Sequence, residues 1–91
     1  MRFHAYISGE VQGVGFRMHT LRIARTLHVN GWVRNLFDGR VEVVAEGPKH
    51  LLEEFEGWLN HGPSMAQVEK VEIQYLETEE GLRDFRVEET D

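Results

Sequence analysis

Three glycines and an arginine in the stretch Ile7-Ser8-Gly9-Glu10-Val11-Gln12-Gly13-Val14-Gly15-Phe16-Arg17 are the residues best able to do chemistry in this chain. Glycine lets successive backbone N–H groups turn toward one small ligand without a Cβ in the way, which is how phosphate-cradling loops are built. Arg17 falls at a helix start, where a cation meets the positive end of the helix dipole at a cost of about 0.3–1 kcal/mol. An anion bound between them reverses that cost, because a helix N-terminus offers free N–H groups to phosphate. Taken alone, the same residues also fit a solvated arginine beside a tight strand-to-helix turn. Nucleotides are not the favoured ligand: Gly13-Val14-Gly15-Phe16-Arg17-Met18 lacks the third glycine of a dinucleotide fingerprint, and no Lys-Ser or Lys-Thr pair follows Gly13 as a nucleotide-binding P-loop requires.

A second candidate lies in Gly31-Trp32-Val33-Arg34-Asn35-Leu36-Phe37-Asp38-Gly39-Arg40-Val41, which runs on to Gly47. Asn35 is a strand-disfavoured residue set between Arg34 and the apolar pair Leu36-Phe37. Its amide donates and accepts at once, so it can hold a water and aim a lone pair at an electrophile. By itself it reads more readily as an ordinary polar residue near a hairpin.

These residues need a frame. Ninety-one residues form one domain, 1–91, with a single core and room for one compact site. Without cysteine there are no disulfides, no thiolate catalysis and no zinc–thiolate site. No apolar run reaches signal-peptide or membrane-span length, so a cytoplasmic protein without a membrane partner is expected. The net charge of −6 is uneven. Residues 1–47 carry six Lys/Arg against four Asp/Glu, a balance of +2, and residues 48–91 carry four against twelve, a balance of −8. A small anion suits the basic half, because local potential steers it. A nucleic acid, which needs an extended basic face, does not.

Alternation at Phe3, Ala5 and Ile7 predicts a first strand ended by Gly9. A stripe of Met18, Leu21, Ala24 and Leu27 predicts a helix, with Arg22 and Arg25 off the stripe and Asn30-Gly31 as its stop. Trp32–Phe37 and Arg40–Glu46 read as strands joined at Asp38-Gly39, a hairpin signal. Gly47-Pro48 opens a second helix carrying Leu51, Leu52, Phe55, Trp58 and Leu59 on one face and Glu53, Glu54 and Glu56 on the other. Val68–Leu76 alternates as a fourth strand, Glu77–Gly81 is a polar turn, and Asp84–Glu88 is a short last strand. The order is the α+β, ferredoxin-like split βαβ sandwich, βαββαβ plus a short extra strand: a mainly antiparallel sheet with two helices on one face.

Together, Gly9-Glu10-Val11-Gln12-Gly13-Val14-Gly15-Phe16-Arg17 and Gly31-Trp32-Val33-Arg34-Asn35 leading to Gly39-Arg40-Val41 resemble the paired motifs of the acylphosphatase family. The resemblance implies a hydrolase that splits the carboxyl–phosphate bond of acyl phosphates into a carboxylate and inorganic phosphate, without a metal or any other cofactor. It implies that Arg17 binds phosphate, that Asn35 orients the attacking water, and that Glu10, Val11, Gln12, Gly13, Val14, Gly15 and Phe16 form the phosphate loop. A monomer is expected, with broad acceptance of small acyl phosphates and weak competition by inorganic phosphate. Whether the Glu88-Glu89-Thr90-Asp91 tail reaches the loop is open.

The chemistry is coherent. A carboxylate leaves without protonation, since its conjugate acid has a pKa near about 4. Phosphoryl transfer is mostly positioning and charge stabilisation, which a forked guanidinium and a ring of N–H groups supply. Asparagine is too weak a base to take the water's proton, so a phosphate oxygen is the preferred acceptor.

The remaining chemistry-bearing residues read as structure. His4, His19, His28, His50 and His61 lack a shared metal-binding spacing and read as polar surface, with only His19 near the loop. Trp32 and Trp58 read as core anchors, and Glu77, Glu79 and Glu80 as a solvated turn. Two other functions fit the same chain. One is a phosphate or acyl-phosphate binding module without turnover. The other is an RNA-recognition domain, which shares the βαββαβ order but needs stacking aromatics that Val41–Glu46 does not carry.

Overall fold

The alternation that opens the chain becomes β1, Arg2–Glu10, in a computed structural model that describes residues 1–91. Phe3, Ala5 and Ile7 are fully buried on one face. Helix α1 is Phe16–Leu27, β2 is Asn30–Asn35, β3 is Val41–Glu46, α2 is Lys49–Leu59, β4 is Gln67–Leu76 and β5 is Phe85–Val87. The sheet order is β4-β1-β3-β2-β5, antiparallel except where β5 lies parallel to β2. Both helices pack on the face carrying Phe3, Val33, Val43 and Phe85, giving the expected ferredoxin-like α+β sandwich. Phe55 of α2 is its hub, with ring centroids 5.8 Å from Phe3 and 5.6 Å from Phe85.

Several element ends differ from the sequence expectation. Gly9 does not end β1. It takes φ 128° at a register shift and still pairs with Val68, where a Cβ would lie 2.1 Å from the Gln67 carbonyl oxygen. Helix α1 stops at His28, which adopts the left-handed φ of 59°, rather than at Asn30-Gly31. Gly31 is instead part of β2, at φ 150°, where a Cβ would meet the Val44 carbonyl oxygen at 1.9 Å. Helix α1 also begins two residues earlier than the stripe predicts. Starting at Phe16 makes Phe16, Thr20 and Ala24 its buried line and leaves Met18 52% exposed.

Three further expectations are corrected. Trp32 lies on the face of the sheet away from the helices, under the Arg34 guanidinium at 4.8 Å, whereas Trp58 does join the core beside Phe16. Glu79 and Glu80 are not simply solvated, since they pair with the N-terminal ammonium and with Arg2. Their turn is held by buried Glu46, whose carboxylate accepts the N–H groups of Glu80, Gly81 and Leu82. His4 is likewise more than surface, because its Nε2 lies 2.5 Å from a carboxylate oxygen of buried Glu42.

Candidate active site

Two strand ends define where the site must form. Strands β1 and β2 are each antiparallel to β3, so they run in the same direction and end at the same edge of the sheet. The register is specific: Ile7 and Asn35 both face Val41, from opposite sides. With strands about 4.8 Å apart, Asn35 stands roughly 10 Å across from Ile7. The chain leaving β1 therefore turns over the end of the sheet toward Asn35 before it returns as α1.

That turn is a concave row of amides. Gly13 and Gly15 take left-handed φ values of 74° and 77°, and Gly15 caps α1 without a side chain. No N–H group from Val11 to Met18 donates to a backbone carbonyl, while the next, that of His19, bonds the Gly15 oxygen at 3.0 Å. No acidic residue occupies the first turn of α1. Free donors and the dipole's positive end make this an anion cradle. His19 Nδ1 also lies 2.8 Å from the Gly15 oxygen, so the imidazole braces the loop from outside.

The cation is also free. Arg2, Arg17, Arg34 and Arg40 are half-buried, and three of them hold carboxylates: Arg2 that of Glu80, Arg34 that of Glu42, and Arg40 that of Asp38. Arg17 holds none. Asn35, 9% exposed, presents an Oδ1 that is buried and has no partner. An unpartnered buried acceptor costs about 1–3 kcal/mol, which a donating water recovers.

Gln12 ties the two halves together. Its Nε2 donates to the Leu36 oxygen at 2.7 Å and to the Arg40 oxygen at 2.9 Å, the two ends of the hairpin that follows Asn35. The chain terminus braces the same place. The Asp91 N–H donates to the Asn35 main-chain carbonyl oxygen at 3.0 Å, the Asp91 main-chain oxygen accepts from the Phe37 N–H at 2.9 Å, and the Asp91 side-chain carboxylate lies 3.4 Å from Arg34. The tail thus reaches the Asn35 strand.

Arg17 and Asn35 line one cavity of about 200 Å³, with Val11, Gly13, Gly15 and Phe16 from the loop. Of the other expected loop residues, Gln12 acts through its tether, Val14 packs on the core, and Glu10 is exposed at the end of β1, paired with Gln67. Met18 and Val87 complete the lining and were not expected. Met18 was assigned to the buried stripe, and nothing in the sequence places the last strand beside the loop. No carboxylate or imidazole lines the cavity.

A family model described as Acylphosphatase matches residues 3–87. The chain belongs to the acylphosphatase family. An acylphosphatase of Trichormus variabilis is 49% identical over 87 residues, covering 96% of this chain and 85% of that protein. One from Thermococcus kodakarensis is 51% identical over 87 residues, covering 96% and 94%. The crystal structure of acylphosphatase from Bacillus subtilis superposes with a TM-score of 0.92 at 34% identity, covering 94% of this chain and 96% of that one. The resemblance read from the two motifs is borne out at the level of family and fold.

Proposed function

We propose that the chain hydrolyses acyl phosphates in the cavity between the Val11–Gly15 loop and Asn35, and that it does so as a monomer in the cytoplasm. The observation that carries this reading is a half-buried arginine without a carboxylate, set beside a run of undonated N–H groups and a buried amide oxygen without a partner. Each of these groups lacks what an acyl phosphate and its attacking water supply. The amides and Arg17 bind the phosphoryl oxygens and the charge that builds on them. Asn35 accepts a hydrogen bond from the water and aims its lone pair at phosphorus, opposite the leaving carboxylate. The P–O bond to that carboxylate breaks as the water oxygen bonds to phosphorus, and the water's proton passes to a phosphoryl oxygen. No enzyme side chain has to take it, in keeping with a lining free of carboxylates and imidazoles.

A cavity of about 200 Å³ is below the roughly 300–1,000 Å³ of pockets for drug-sized ligands, which favours a small substrate. The open sheet face does not favour RNA. His4 and Tyr6 stack there at 4.9 Å, but the Glu42 carboxylate sits among them, held by Arg34 at 2.7 Å.

The test is hydrolysis of benzoyl phosphate, followed by loss of ultraviolet absorbance with chelator present. Arg17→Ala loses both turnover and competition by inorganic phosphate. Asn35→Ala keeps phosphate competition and loses about 10²–10³ in kcat, the usual effect of removing one well-placed catalytic group. Equal loss of phosphate binding in both variants overturns the division of roles. Arg17-dependent phosphate binding without turnover by the wild type makes the chain a binding module.

A further inference from the structure

We infer that Met18 and Val87 form an apolar shelf that receives the acyl group of the substrate and sets a preference for uncharged, apolar acyl chains; this rests on the proposed hydrolytic reading. The two residues come from the first turn of α1 and the end of β5, 69 positions apart in the sequence, and meet on the wall of one cavity. Exposure grades along that wall: Val11 and Phe16 are 1% exposed, Asn35 9%, Val87 37% and Met18 52%. Asn35 therefore lies deep and the two apolar side chains lie at the mouth.

In-line displacement fixes what goes where. The water held by Asn35 attacks from one side of phosphorus and the carboxylate leaves on the other, so the acyl carbon points away from Asn35. The way out leads over Met18 and Val87. Neither side chain is part of the buried core: Met18 belongs to no buried cluster, and Val87 extends past Phe85, the buried residue of its strand. A single exposed apolar side chain needs no explanation, but two lining the same cavity as a free guanidinium form a surface a ligand can cover. Methionine is unbranched and polarisable, so it adapts to flat and branched acyl groups and packs against an aromatic ring. Arg17 is the only charged side chain in the lining, and a phosphoryl group engages it. A second charge on the acyl chain finds no partner there.

Binding of non-hydrolysable phosphonates tests the shelf separately from turnover. Calorimetric affinities of benzylphosphonate and methylphosphonate are measured for the wild type, Met18→Gln, Val87→Thr and the double variant. Both substitutions keep side-chain size at exposed positions while making the surface polar. The wild type binds benzylphosphonate more tightly, and the double variant reduces that preference by roughly 3–10-fold, as expected for losing one to two methylenes' worth of contact at a half-exposed surface. The ratio of kcat/KM for benzoyl phosphate over acetyl phosphate falls in parallel. An unchanged ratio, or equal losses for both phosphonates, overturns the shelf. Failure of the wild type to hydrolyse either acyl phosphate defeats the hydrolytic reading instead, and the phosphonate ratio still decides the shelf.

Discussion

Gln12 is the residue whose removal most directly tests how this site is held together. Its amide nitrogen spans from the loop to both ends of the hairpin after Asn35, with bonds of 2.7 Å and 2.9 Å. Each such bond contributes about 0.5–1.5 kcal/mol net, so deleting both costs about 1–3 kcal/mol. The lower half of that range applies. The Leu36 oxygen keeps the Gly39 N–H at 3.1 Å and the Arg40 oxygen keeps the Leu36 N–H at 2.8 Å, so Gln12→Leu leaves neither carbonyl bare. In a domain of this size about 1–2 kcal/mol lowers Tm by roughly 5–15 °C. A larger effect falls on catalysis, because the loop amides lose their fixed distance to Asn35, and misplacement by about 1 Å costs up to about 10²-fold in rate. Thermal unfolding by circular dichroism and kcat/KM for benzoyl phosphate measure the two effects. Gln12→Glu is the sharper variant: an ionised carboxylate cannot donate and faces two carbonyl oxygens, so it is less stable than Gln12→Leu at pH 7 and recovers as acid protonates it. A Gln12→Leu protein with unchanged Tm and full activity refutes the tether. A lowered Tm with full activity refutes its positioning role.

Three further outcomes follow from the same geometry. With no carboxylate or imidazole lining the cavity, kcat is flat from about pH 5 to about pH 8 once the substrate's own ionisation is allowed for; a steep enzyme-side ionisation near neutrality, read from a pH–rate profile, contradicts this. Gly31→Ala drives a Cβ into the Val44 carbonyl oxygen at a φ of 150°, costing more than about 3 kcal/mol in urea unfolding and yielding little folded protein. Burial alone pushes the Glu42 carboxyl up, but hydrogen bonds from Arg34 and His4 outweigh it and hold the group below its ordinary 4.5. Its stabilisation is therefore complete above about pH 4.5 and is lost as pH falls through the folded-state value, so the stability gap between wild type and Glu42→Gln narrows in acid, as urea titrations across pH can measure.

Much of this was legible in the sequence because it rests on short-range patterns. Period-two burial gave β1, and the apolar face of Leu52, Phe55 and Leu59 gave α2. The glycine loop and Asn35 were visible as residues out of keeping with their surroundings. What escaped depends on contacts between distant segments. Asn30-Gly31 carries the usual signature of a helix stop, yet the glycine is required by the Val44 carbonyl across the strand pair, and His28 absorbs the left-handed turn. Met18 fell on the predicted stripe, but Phe16 fills the core at that end of the helix; Leu21, Ala24 and Leu27 keep their places and Met18 alone turns outward. Glu42 and Glu46 look like solvent-facing residues of an alternating strand. They are buried because His4, Arg34 and the N–H groups of residues 80–82 come to them from elsewhere in the chain.

The site gathers groups that folding leaves unsatisfied, and the frame explains how they persist. A free arginine, undonated amides and an unpartnered amide oxygen would each relax toward the nearest partner if the backbone allowed it. Here the backbone is fixed on every side. Val11 and Phe16, both 1% exposed, pin the loop into the core at its two ends. Gln12 fixes its span to the hairpin, and the Asp91 amide holds the Asn35 strand from beyond. Gly62 takes φ 68°, and a Cβ there would lie 2.7 Å from the Phe16 ring, so even the turn after α2 is shaped to that anchor. Rigid donors aimed at a position filled only when substrate arrives need no reorganisation as charge develops. On the proposed reading the chain can therefore dispense with a titrating side chain: it would supply fixed dipoles and one guanidinium, and the substrate a good leaving group and the acceptor for the proton.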